Sequence, residues 1–145
     1  ESLETNIEGA FACGNVLHVH DLVDYVSEEA AAAGKNAARY VQEWQTGQGE
    51  GQGGRTVEVR AVDGVRYTVP SRINVERMED ILTVRFRVGG VYKNCFISVY
   101  LDDKRILHRK RPVMAPGEME EVKLKKEELC KYPDLSAITV KLEEV

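Results

Sequence analysis

The sequence predicts a mainly β protein: an antiparallel β-sandwich of about seven strands, preceded by one long α-helix. Three observations predict it. Between residues 55 and 145, short runs of alternating apolar and polar side chains recur at spacings of about 8–12 residues, separated by turn-forming residues. Between residues 21 and 44 the apolar positions recur instead at three- and four-residue steps, the period of a helix. The two regions are separated by Thr46–Gly54, a glycine-rich stretch without a single apolar side chain. The expected organisation is therefore residues 1–45, a linker over 46–54, and a β domain over 55–145.

The helix is expected over Asp21–Trp44. Leu22, Val23, Val26, Ala30, Ala33, Ala37, Tyr40, Val41 and Trp44 supply its apolar face. Asp21 is the expected N-cap, and Asp24 in the first turn suits the positive end of the helix dipole. Gly34 interrupts the pattern at a cost near 1 kcal/mol, which predicts a close packing contact on an alanine-rich face. The next segment, Thr46–Gly54, is expected to be a flexible linker, because glycine loses the most backbone entropy on ordering. A phosphate-cradling loop would need a strand before it and a helix after it, the reverse of this order.

The strands follow. Thr56–Ala61 and Val65–Val69 flank Val62-Asp63-Gly64, and Asp-Gly is a hairpin signal. In Ile81–Val88, Leu82, Val84, Phe86 and Val88 share one face, with Thr83, Arg85 and Arg87 on the other. Cys95–Leu101 is apolar on both faces, as a strand central in its sheet would be. Asp102-Asp103 turns into Arg105–His108, and Met114–Glu118 reads as an inter-strand turn. Glu120–Leu124 and Ala137–Leu142 are further strands, with a helical turn over Glu127–Lys131. This spacing is similar to that of immunoglobulin and fibronectin type III modules.

A length of 145 residues accommodates one ordinary domain, or a small one with an appendage, and a chain 43% apolar and 30% charged is globular in balance. The net charge of −4 is uneven: residues 1–54 hold 2 basic and 9 acidic side chains, residues 55–145 hold 18 and 15. That excess of cations is too thin for a phosphate-backbone footprint, which argues against nucleic acid. No apolar run approaches the roughly 20 residues of a membrane span, and no signal-peptide pattern opens the sequence. Cys13, Cys95 and Cys130 are odd in number and far apart, so a disulfide framework or zinc cassette is not expected, and a reducing, cytoplasmic setting fits.

The most informative stretch is Thr5-Asn6-Ile7-Glu8-Gly9-Ala10-Phe11-Ala12-Cys13-Gly14-Asn15, followed by the helix. It resembles the C-terminal flavin motif T-x-x-x-G-x-[FY]-A-x-G-[DN] of the pyridine nucleotide–disulfide oxidoreductase superfamily. The continuation Cys13-Gly14-Asn15-Val16-Leu17-His18-Val19-His20-Asp21-Leu22-Val23-Asp24 resembles a subgroup associated with a glycerol-3-phosphate dehydrogenase-like flavoprotein and a small Cys-rich protein. The resemblance covers residues 3–43. It implies that Gly-x-Phe-Ala is a short buried strand and that the helix is the last of a FAD domain. It also implies FAD contacts at Gly14, Asn15, Val16, Asp21 and Leu22, with NAD(P) as co-substrate.

The chemistry suits that role. Glycine at position 14 permits close backbone approach, and a helix N-terminus near Asp21 favours negative charge on a reduced flavin. Asn15 stands where the family has Asp, keeping an acceptor oxygen for a ribityl hydroxyl but without charge. The family's Gly-x-Gly-x-x-Gly strand–turn–helix units do not occur in this sequence, because Gly47–Gly54 follows a helix and precedes a strand and does not qualify, and the chain opens without Met. The expectation is a C-terminal fragment of a longer enzyme, which alone neither retains FAD nor transfers hydride. A partner flavoprotein, a small Cys-rich subunit or a second copy of the chain are the expected partners.

Other candidates read more plainly. His18-x-His20-Asp21 places two imidazoles on one face of an extended segment, but no third ligand follows at metal-site spacing, so no metal residue is assigned. All three cysteines read as packed small side chains. Arg85, Arg87, Arg105, Arg109, Lys110 and Arg111 are expected to form a basic strip, a solvated face or a docking surface for an acidic partner. No catalytic residue is assigned. The alternative to the flavoenzyme reading is a stand-alone β-sandwich binding or scaffold module.

Overall fold

The structure is a computed structural model that describes residues 2–47 and 54–144. The expected linker therefore lies largely outside the described residues. The chain divides into two compact units, Glu1–Gly54 and Arg55–Val145, close to the expected boundaries.

In the first unit, a turn-rich segment precedes a 3-10 turn, Gly14–Val16, and then helix α1, Val23–Gln45. The segment over residues 4–11 folds back on itself, with the Thr5 N–H donating to the Ala10 carbonyl and an isolated bridge between Glu4 and Phe11. In Gly-x-Phe-Ala, Gly9 is thus exposed and Ala10, Phe11 and Ala12 half-buried, bridged at one residue and not a strand; no sheet is present among the described residues of this unit for it to join.

Helix α1 starts later than expected. Leu22, not Asp21, is the N-cap, and no side chain caps the helix there, although Asp24 does occupy the first turn. Its inner face is Tyr25, Val26, Glu29, Ala33, Asn36, Ala37 and Tyr40, whereas Leu22, Val23, Ala30, Val41 and Trp44 are exposed. Gly34 is exposed too, and a Cβ there would meet nothing within 4 Å, so the expected close contact is absent among the described residues.

The second unit is mainly β, with eight strands in two sheets: β1 Thr56–Ala61, β2 Val65–Val69, β3 Arg72–Asn74, β4 Ile81–Val88, β5 Tyr92–Leu101, β6 Lys104–Met114, β7 Glu120–Lys125 and β8 Ala137–Glu144. A short helix α2, Lys126–Cys130, follows β7. One sheet runs β3-β1-β8-β5-β6 and the other β2-β4-β7. Both supply one core, in which Val57, Ile97, Val99 and Val140 of the first sheet meet Val84, Phe86, Val88 and Val122 of the second.

Two expectations are corrected. Asp63 and Gly64 do form a tight turn with φ of 45° and 91°, closed by the Val65 N–H on the Val62 carbonyl. Yet β1 pairs with β3 and β8 while β2 pairs with β4, so the turn passes the chain from one sheet to the other instead of closing a hairpin. Glycine is required there because a Cβ would come within 2.9 Å of the Tyr92 hydroxyl. Pairing is also not wholly antiparallel, since β1 runs parallel to β8 from Glu58↔Ala137 to Ala61↔Val140. Strand β5 lies between β8 and β6, as its two-sided apolar pattern requires. Among the described residues no helix is long and apolar enough to cross a membrane.

Candidate functional site

The loop joining the 3-10 turn to α1 carries the site. Its backbone turns at Gly14, whose φ of 70° is left-handed and favours glycine. The Leu17 and His18 N–H groups both donate to the Gly14 carbonyl, and the His20 N–H donates to Asn15 Oδ1 at 3.3 Å. His18 and His20 turn inward, while Val19 between them is 62% exposed.

Both imidazoles converge on one carboxylate. His18 Nε2 lies 2.8 Å from Glu29 Oε2, and His20 Nε2 lies 3.0 Å from Glu29 Oε1, with the three side chains at most 3% exposed. Glu29 Oε1 also accepts the buried Gly14 N–H at 2.7 Å. The two rings stand 4.3 Å apart, centroid to centroid. The chelating atoms of all three residues lie within 4.8 Å of one another. His20 Nδ1 is buried with no hydrogen-bond partner among the described residues, so this ring interacts through its Nε2 edge.

Burial pushes the Glu29 carboxyl up, but the hydrogen bonds from His18, the Gly14 N–H and His20 outweigh it and hold the group below the ordinary range. Glu29 is the residue the sequence reading did not name. It sits nine positions beyond His20, nearly two turns inside a helix whose direction only the fold decides. The available signal was a charged residue on the inner face of α1, in phase with Val26 and Ala33.

The residues assigned to flavin sit on the same loop. Gly14 is buried, while Asn15, Val16, Asp21 and Leu22 are exposed, Val16 at 82%. Asp21 is not among the residues gathered by Glu29. Val16 and Leu22, with Val19 and, at the start of α1, Val23, present apolar side chains outward, while Ala33 is the one buried hydrophobic among the unit's described residues.

The second unit holds a different polar cluster, on the outer face of β5, β6 and β8. The Ser98 hydroxyl donates to Glu143 Oε2 at 2.6 Å and lies 2.8 Å from His108 Nδ1. Tyr100 donates to Glu143 Oε1 at 2.7 Å, with Lys141 at 3.1 Å and Arg105 at 3.3 Å. The Ser98 and Tyr100 hydroxyls, then Lys141, hold the Glu143 carboxyl down to about 2. Serine, histidine and glutamate meet here, but not as a nucleophile with its base. Ser98 spends its one hydrogen on Glu143, so His108 Nδ1 faces the hydroxyl as donor.

The expected basic strip is divided. Arg85 and Arg87 belong to one sheet and the β6 cations to the other. Along β6 the period of two sends Lys110 to the face of Phe96 and His108, and Arg109 and Arg111 to the opposite one. There Arg109 donates to the Glu121 carbonyl and Arg111 to the Glu120 carboxylate, and Arg87 donates to the Pro116 carbonyl. Of the cysteines, Cys95 is buried and Cys13 half-buried, but Cys130 is exposed, against its expected packing, because α2 turns Leu129 and not Cys130 into the core.

Compared with known proteins, the chain matches no family model, no curated protein and no solved structure.

Proposed function

We propose that the first unit is the closing segment of the FAD domain of an FAD- and NAD(P)-dependent oxidoreductase of the pyridine nucleotide–disulfide type. The second unit is then an immunoglobulin- or fibronectin-like sandwich that serves in subunit or partner contact, not in the chemistry. In such an enzyme hydride passes from nicotinamide to flavin and the electrons leave to a partner. Gly14 and Asn15 would face the ribityl region, and Val16, Asp21 and Leu22 the ring.

The observation that carries this reading is the exposure of Val16, Val19, Leu22 and Val23, which run from the end of the 3-10 turn to the first residue of α1, directly after the flavin-like motif. A unit that buries so little of its apolar surface is expected to be covered by something else. The remaining strands of a FAD domain, or the flavin itself, are of the right chemistry. The left-handed turn at Gly14 and the acceptor oxygen of Asn15 support it further.

The test is the intact mass and visible absorbance of the native protein, with the reading frame upstream of the codon for Glu1. A longer native chain with a Gly-x-Gly-x-x-Gly strand–turn–helix upstream of Glu1 and bound flavin sustains the proposal. A native chain that starts at Glu1 and binds no flavin overturns it. In a flavin-bearing chain, Asn15→Asp is expected to retain the cofactor and Asn15→Ala to lower its occupancy.

A further inference from the structure

We infer that His18, His20 and Glu29 form a binding site for a divalent first-row transition-metal ion, zinc being the best fit to the donors. The inference is independent of the flavin reading, because it uses only the mutual geometry of three side chains within the first unit.

The geometry is close to what a metal needs. A tetrahedral ion with arms of about 2.0–2.1 Å separates its ligand atoms by about 3.3 Å. His18 Nε2 lies 2.8 Å from Glu29 Oε2, a few tenths of an ångström short of that, and His20 Nε2 lies 3.0 Å from the other oxygen of the same carboxylate. One ligand atom from each of the three residues lies within 4.8 Å of the others. Small rotations of side chains already in place would open the centre; no element has to move. Each histidine offers Nε2 to the same carboxylate, His18 to Oε2 and His20 to Oε1, and both rings are buried against it.

The donors select the class of ion. Two imidazole nitrogens and a single carboxylate suit zinc and its neighbours, whereas calcium needs six or more oxygens and magnesium an octahedral shell. Three protein ligands leave a fourth position for water or a further ligand. The supporting contact is also present: the Gly14 N–H holds Glu29 Oε1 at 2.7 Å, leaving Oε2 to ligate. Hydrogen bonds of this kind orient metal-bound carboxylates.

Such an ion has a structural task here. Among the described residues of the first unit Ala33 is the one buried hydrophobic side chain, and the buried contacts between the loop and α1 include the polar ones of His18, His20 and Gly14 with Glu29. Units without a sufficient apolar core commonly rely on a metal or a disulfide, and a metal that ties the loop to the helix adds its binding free energy to folding.

The test is titration of the full chain with zinc and, for its visible spectrum, cobalt. One ion is expected to bind per chain, with cobalt bands of a low-coordinate nitrogen–oxygen site and X-ray absorption at the zinc edge showing imidazole and no sulfur. Glu29→Gln and His20→Gln should each weaken binding by more than about a hundredfold, beyond what loss of a supporting residue costs. His108→Gln and Cys13→Ser should leave it unchanged. Failure of the unaltered chain to bind one ion overturns the inference, whatever the variants do. So does sulfur ligation, or binding that survives Glu29→Gln in a chain of unchanged helical circular dichroism. Flavin content enters none of these readouts.

Discussion

At the scale of single residues, two carboxylates show how neighbours decide a side chain's behaviour. Glu29 is buried and answered by two imidazoles and a backbone N–H; Glu143 sits on a sheet face and gathers Ser98, Tyr100, Lys141 and Arg105. For Glu143 the carboxyl is lowered from 4.5 to about 2 in the folded chain, so the unfolded chain takes up its proton first as pH falls. Its contribution to stability is complete above pH 4.5 and is lost as the pH falls to about 2. Denaturant titrations across that window should show the β unit weakening with acid, and Glu143→Gln should flatten that part of the profile. An unchanged slope in the variant would assign the acid sensitivity to other groups. Neither cluster could be read from its residues in sequence, since Ser98 and Glu143 are 45 positions apart.

Among elements, α1 and β6 are the ones whose sequence patterns misled. The apolar periodicity of α1 placed Trp44 and Val41 on its inner face, but they are exposed, and Gly34 meets open space. Replacing that glycine therefore removes a helix penalty without a clash. Gly34→Ala should stabilise α1 by up to about 1 kcal/mol, seen as a higher midpoint in helical circular dichroism. A loss of stability would mean that a packing partner presses on that position. Strand β6 extends to Met114, well past the expected His108. Arg109-Lys110-Arg111-Pro112 breaks the apolar alternation that marks strands, yet charge and proline are what an edge strand tolerates, and β6 is an edge.

For the whole molecule, the contrast lies in how each unit is held together. The second unit has a continuous core, with Phe86, Ile97, Val84 and Val140 fully buried between its sheets. Phe86→Ala should cost about 3–5 kcal/mol, read as a lower denaturant midpoint for the β signal. The first unit has Ala33 and the His18–His20–Glu29 cluster. It should therefore lose structure at lower temperature than the second, followed through α1 helicity and the fluorescence of Trp44, the single tryptophan. Coincident melting of the two signals would contradict that ranking.

What the sequence alone determined is local. Period two and period 3.6 located β1, β2 and β4 to the residue and the other long elements except β6 to within a few positions, because side-chain alternation is a property of the backbone itself. The three-residue strand β3 escaped because it is too short to show a period. The Gly-rich break placed the boundary between the two units for the same local reason. Tertiary structure alone decided which strands pair, making Asp63-Gly64 a passage between sheets and setting β1 parallel to β8. It also decided that His18-x-His20, which lacked a third ligand in sequence, meets Glu29. The physical reason is common to both: pairing and convergence depend on contacts between distant residues, and no local pattern encodes the partner.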